Sequence, residues 1–170
     1  MRTTALLPLT ALAAALLLTS CADDGGSDSG DGKRGESSTA ACAIGDMETR
    51  VGPANPAPAA GDTGNVTLTL TNKGAACTLE GMPVVTLKAG GTSADVAADA
   101  AAPKRTLDKG GTTAFTVTYV RGGTDGLAVE TADFALPGTD ETRSFPWTYG
   151  DVALKGEQPD ASVSGFQQGD

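Results

Sequence analysis

The stretch Asn65-Val-Thr-Leu-Thr-Leu-Thr71 alternates without a break, with Val66, Leu68 and Leu70 on one side and Thr67, Thr69 and Thr71 on the other. Side chains alternate between the two faces of a strand, so this segment must bury one face and leave the other in water. The period of two points to an antiparallel strand and not to a helix. The signature recurs at Thr113 to Val120, where Phe115, Val117 and Tyr119 alternate with Thr116 and Thr118. Val84 to Lys88 reads as a short strand after Pro83, and Ile44 to Val51 as the first strand of the domain. Leu127 to Thr131 reads as a further strand, with Phe134 and Leu136 resuming after it, and Phe145, Trp147 and Tyr149 share one face of the last clear strand. Asn72-Lys73-Gly74, Gly90-Gly91, Gly110-Gly111, Gly122-Gly123 and Pro137-Gly138 supply the turns between these runs. No window carries a sustained helical period with caps. Short strands separated by Gly-rich turns predict an all-β chain folded as a two-sheet antiparallel β-sandwich of about seven to nine strands. The loop Gly52 to Gly64, with Pro53, Pro56 and Pro58, is too Pro-rich for a central strand.

Composition narrows the chemistry. Aromatic residues make up 4% of the chain, which favours a small β-domain with modest core side chains. There is no histidine, the usual base near neutral pH and the commonest metal ligand. Ser-His-Asp and Cys-His catalysis in their standard forms are therefore excluded, as are His-based zinc and copper sites. No cofactor and no metal are expected. The formal net charge of −9 disfavours nucleic acid and anionic lipid head groups, and no basic patch with interleaved aromatics argues otherwise.

Residues 1–20 have the parts of an export signal: Arg2 at the start, an apolar run from Ala5 to Leu18 broken by Thr10, then small residues. The run of 14 residues is shorter than the ~20 needed to span a bilayer as a helix. Leu18-Thr19-Ser20-Cys21 resembles the lipobox of bacterial lipoproteins, which implies cleavage before Cys21 and a diacylglyceryl group on its thiol. Two acyl chains anchor stably where one does not. An ordinary secretory signal, with Cys21 present by chance, is the plainer alternative. Loss of Arg2 with the signal takes the charge from −9 to −10.

If Cys21 carries lipid, Cys42 and Cys77 remain. In an oxidising exterior two such cysteines most simply form a disulfide, worth about 3–4 kcal/mol for this loop length in the chain-entropy model. Free thiols or a redox pair are the alternatives, although the close C-x-x-C spacing of redox pairs is absent. Residues 21–41 read as the lipidated cysteine followed by a disordered acidic Gly/Ser linker with an r.m.s. reach of roughly 25 Å. Its Asp24, Asp28 and Asp31 do not follow the order of a calcium-binding loop. Residues 42–156 read as the β-sandwich domain and 157–170 as a flexible polar tail.

The stretch from Gly64 to Leu87 carries a Leu-Thr-Asn-x-Gly strand end and a Cys-Thr-Leu-x-Gly-x-Pro turn, and Gly110-Gly111 opens a later strand. These features resemble the family catalogued as domain of unknown function 4232, common in secreted proteins and lipoproteins of actinobacteria. The resemblance covers roughly Cys42 to Leu154. Cys42 sits where that family's first cysteine pairs with the turn cysteine, here Cys77, and Phe145-Pro146-Trp147 looks like its closing strand. The resemblance implies an immunoglobulin-like sandwich on the outer surface and no known reaction, so no catalytic residue is carried over.

The remaining candidates have plain structural explanations. Asp133, Asp140 and Glu141 could form the carboxylate pair of a glycoside hydrolase, but nothing in their spacing demands it and a solvated loop accounts for them. Asn65-Val66-Thr67 fits a glycosylation acceptor but lies within a strand. Trp147 could stack on a sugar or peptide, yet a sole tryptophan beside Phe145 and Tyr149 is more often core. Met47 and Met82 are too few for a copper site. The Thr-rich faces of the Asn65 and Thr113 strands are either a binding surface or an ordinary hydrated sheet face.

Together these readings predict a cell-surface lipoprotein, lipid-anchored to the extracellular face of the cell membrane through Cys21. It is expected to be a non-enzymatic binding or structural module for an envelope protein or cell-wall polymer. A carboxylate-dependent extracellular hydrolase, or an accessory subunit of an envelope enzyme, is the alternative. A binding module predicts an exposed apolar or aromatic patch on end loops. A carboxylate enzyme predicts convergent Asp or Glu side chains in a cleft with raised pKa values.

Overall fold

The computed structural model describes residues 39–168. A short 3-10 turn, Ile44–Asp46, precedes fourteen strands. These are β1 (Met47–Asn55), β2 (Thr63–Asn72), β3 (Cys77–Leu79), β4 (Val84–Ala89), β5 (Thr92–Asp95), β6 (Ala97–Ala98) and β7 (Arg105–Leu107). Then follow β8 (Thr112–Val120), β9 (Thr131–Ala135), β10 (Thr142–Pro146), β11 (Leu154–Lys155), β12 (Gln158–Pro159), β13 (Ala161–Val163) and β14 (Gln167–Gln168). The excess over seven to nine comes from pieces of two or three residues, too short to announce themselves as periodic runs.

Two antiparallel sheets dominate. One has the order β1-β2-β8-β13-β6, with β14 also paired to β8, and the other β10-β9-β4-β5. Within the first, the β13–β6 pairing alone is parallel. The alternation of the sequence sets the burial directly. Along β2, Val66, Leu68 and Leu70 are buried while the intervening threonines are half-exposed, and β8 repeats this with Phe115, Val117 and Tyr119. From the opposite sheet Val85, Leu87, Ala132, Phe134 and Phe145 join the same core cluster. The Phe115 and Phe134 rings meet at 5.6 Å across the interface.

The two sheets are closed on one side by the chain itself, which passes from β5 in one sheet to β6 in the other through Val96, whose N–H donates to the Val85 carbonyl. On the other side Arg143 of β10 reaches β1. Its guanidinium donates to the carbonyls of Met47 and Ile44 and to Thr49 Oγ1. The first strand begins three residues later than Ile44, because that residue opens the 3-10 turn, and it runs on through Pro53. Proline is tolerated there because β1 is an edge strand and its register with β2 breaks between Val51 and Ala54. A strand expected at Leu127 to Thr131 starts only at Thr131. Leu127 makes a single bridge with Val152, and the Val129 N–H bonds the Leu127 carbonyl, a tight local turn that breaks pairing.

Both expected domain boundaries move outward. The reading of 157–170 as a flexible tail is wrong over the described part, 157–168. β13 and β14 pair with β8, and Val163 and Phe166 are buried, the latter 4% exposed and edge-on to Phe115 at 5.8 Å. Two large apolar residues in a polar background were enough to return the segment to the core. At the other end, part of the expected linker is already paired: the Thr78 N–H donates to the Ala40 carbonyl and the Cys42 N–H to the Thr78 carbonyl. Cys42 and Cys77 form a disulfide that fixes this junction to β3.

Phe166→Ala should cost about 3–5 kcal/mol in equilibrium denaturation, the range for emptying a buried aromatic site; a cost below 1 kcal/mol would show that the segment is dispensable. Replacing Cys42 and Cys77 together by serine should lower stability by about 3–4 kcal/mol, read from urea midpoints with and without reductant.

Candidate functional site

The outer face of the second sheet carries the most concentrated polar chemistry. Register places Asp95, Thr86, Asp133 and Ser144 in one row across β5, β4, β9 and β10. Thr86 Oγ1 donates to Asp95 Oδ1 at 2.7 Å, and Ser144 Oγ donates to Asp133 Oδ1 at 2.5 Å. Lys88 Nζ, one turn of the pleat along β4, sits 2.5 Å from Asp133 Oδ2. Asp133 is buried beneath these neighbours although it points away from the core. The hydrogen bond from Lys88, then that from Ser144, hold its carboxyl below its ordinary value, against the opposing effect of burial. An ionised carboxylate with both oxygens engaged is a structural element, the reverse of a raised general acid. Asp140 and Glu141 lie exposed between β9 and β10, outside this row.

Trp147 is core. Its Nε1–H donates to the Gly150 carbonyl at 2.7 Å, and its ring stands edge-on to Tyr119 at 5.1 Å and to Tyr149 at 5.0 Å. Tyr119 in turn donates to the Tyr149 carbonyl and accepts from the Ala57 N–H, pinning two loops at the end of the sandwich. Gly64 is required beneath it, since a Cβ there would lie 2.6 Å from the Tyr119 ring. Burial raises the Tyr149 hydroxyl above its usual range. The exposed aromatic patch expected of a binding module is not formed by this cluster. The large exposed apolar residues, Val51, Val84 and Leu154, sit on separate strands: β1, β4 and β11.

On the outer face of the first sheet Thr67 pairs with Thr116 and Asn65 with Thr118. Thr67 Oγ1 and Thr116 Oγ1 are 3.2 Å apart, and Thr118 Oγ1 donates to Asn65 Oδ1. The acceptor-like Asn65 is thus tied into the sheet. A shallow groove of about 370 Å³ runs over Thr67, Thr69 and Thr116 between Pro53 and Gln167-Gln168. Met47 is buried core and Met82 half-buried. Among the described residues no group of three His, Cys, Asp or Glu side chains could hold a metal ion. Nor is any helix among them long and apolar enough to cross a membrane. Cys21, the signal segment and most of the linker lie outside the described residues.

Sequence reasoning missed Lys88 and Ser144 as partners of Asp133, and it missed Arg143. The signal for Arg143 was available: it shares the inward parity of Phe145, and a charge at an inward position of a strand needs buried acceptors.

Asp133→Asn should cost about 1 kcal/mol at pH 7, a small figure because Lys88 is half-exposed. A carboxyl depressed on folding stabilises above its unfolded value, ordinarily 3.8, and that contribution disappears as pH falls through and below it. The difference between wild type and variant should therefore be full at pH 7 and smaller at pH 2 in paired urea melts. Equal differences at both would mean that Asp133 is not held ionised by the fold.

No curated protein matches the chain. A family model does, over residues 42–167, a span that includes the disulfide, both sheets and most of the C-terminal segment first read as tail. The chain belongs to the family described as Domain of unknown function (DUF4232).

Proposed function

We propose that this protein is a cell-surface lipoprotein, held at the extracellular face of the membrane by a diacylglyceryl group on Cys21. In this reading its immunoglobulin-like domain serves as a non-enzymatic binding or structural module of the bacterial envelope. The observation that carries the non-enzymatic part is the state of Asp133. It is the one buried carboxylate among the described residues, and on an outward sheet face it is ion-paired with Lys88 and hydrogen-bonded by Ser144. A carboxylate enzyme needs a group with a raised pKa facing a cleft. The anchoring part is supported by the residues Leu18-Thr19-Ser20-Cys21 at the end of an apolar run of signal length, followed by a polar acidic stretch. The disulfide suits an oxidising exterior. Partners in this reading are the membrane, through the lipid, and an envelope protein or wall polymer, through the domain surface.

Cys21→Ser should abolish incorporation of radiolabelled palmitate in growing cells and either release the protein to the medium or leave its signal uncut. Retention of label and membrane association by the variant would show the anchoring to be wrong. Crosslinking in intact cells, followed by mass spectrometry of captured chains, identifies the partner on the domain side.

A further inference from the structure

Among the described residues one buried side-chain nitrogen has no hydrogen-bond partner, Nε of Arg105. The other two half-buried arginines among the described residues each donate to backbone carbonyls: Arg143 to those of Met47 and Ile44, and Arg121 to those of Ala57 and Pro58. Arg50, Lys73, Lys88 and Lys104 each have an acidic partner. The Arg105 side chain makes neither a hydrogen bond nor an ion pair among the described residues. It lies on β7 opposite Leu79 and lines a depression of about 280 Å³ together with Thr106, Asp108 and Gln168. A half-buried guanidinium has given up part of its hydration, and without a partner that loss is uncompensated.

The local charge is also unusual for this chain. Lys104, Arg105 and Lys109 fall within six positions with Asp108 the lone acid among them, whereas the whole chain has 12 basic against 21 acidic residues. We propose that this depression is an oxyanion site in which Arg105 is the recognition element, and that its ligand is a carboxylate group. The planar fork of a guanidinium matches a carboxylate through two parallel N–H···O bonds. Thr106 and Gln168 add neutral hydroxyl and amide groups at the rim. A carboxylate is favoured over a phosphate because Asp108 shares the depression and the chain is net acidic, so each additional negative charge on the ligand meets more repulsion. The site deepens the reading of this domain as a binding module and rests on it, giving that module the chemistry of its ligand.

The test is an ¹⁵N correlation titration of the purified full-length protein with acetate, and separately with N-acetyl-alanyl-alanine, against chloride at matched ionic strength. The Arg105 Nε–H signal should shift saturably with both carboxylates, while those of Arg121 and Arg143 stay in place. Equal affinity for the two assigns the site to the carboxylate group itself, and tighter binding of the dipeptide assigns it to a carboxylate borne on a chain. Arg105→Gln should weaken binding about tenfold or more, followed through the Thr106 and Gln168 amides. Asp108→Asn should tighten it several-fold by removing the competing charge. No saturable shift, an equal shift with chloride, or an Asp108→Asn variant that binds no better would overturn the proposal. These outcomes do not depend on lipid at Cys21, so failure here is separable from failure of the anchoring experiment.

Discussion

All seven aromatic residues of the chain, four Phe, two Tyr and one Trp, belong to one unbroken run of ring contacts. It leads from Phe166 to Phe115 and Phe134, on to Phe145 and Trp147, and divides there to Tyr119 and Tyr149. In a chain otherwise rich in Gly, Ala and Thr, these rings are the largest side chains in the space between the two sheets. Aromatic pairs in tilted and edge-on geometry add specificity to their burial. The run touches β8 in one sheet and β9 and β10 in the other, so it sets how the sheets face each other. Tyr119 then extends the run into hydrogen bonds that fix the end loops. The valines and leucines of β2 and β4 complete a core whose larger members are already placed.

The polar interactions follow a consistent division. Inside the seam Arg143 donates to the Met47 carbonyl at the start of the edge strand β1 and to the Ile44 carbonyl of the turn before it, so its half-buried guanidinium is hydrogen-bonded. On the outer face Asp133 collects two donors and is stabilised as an anion. Each removes a hazard by local pairing and leaves little polar chemistry free. Arg105 departs from that pattern, which gives its isolation meaning.

Fold class was readable because β2 and β8 have one face buried and one wet, and period-two alternation follows necessarily from that. The bounds were less readable. Val163 and Phe166 are separated by polar residues and show no period, and what recruits them is an open edge of β8 and space beside Phe115, neither of which is written locally. Leu127 and Val129 had the pattern of a strand, but a turn stabilised within the segment itself displaced the pairing to Thr131. The identity of Trp147 as core was legible from its neighbours Phe145 and Tyr149. The partners of Asp133 were not, because Lys88 lies on a distant strand and Ser144 across a hairpin, and only the registers of β4 and β10 against β9 bring them together.

The position of β13 and β14 also bears on the order in which the chain acquires structure. A polypeptide that emerges from its N-terminus presents Cys42, Cys77 and the β1–β2 pair early, and β8 joins them next. The far edge of β8 then waits some forty residues for Ala161–Val163 and Gln167–Gln168. During that interval the nascent domain holds a central strand with one edge still unpaired and a gap beside Phe115, a state open to wrong partners. Completion of the core therefore waits for the arrival of Val163 and Phe166, and the fold remains unfinished until they are available.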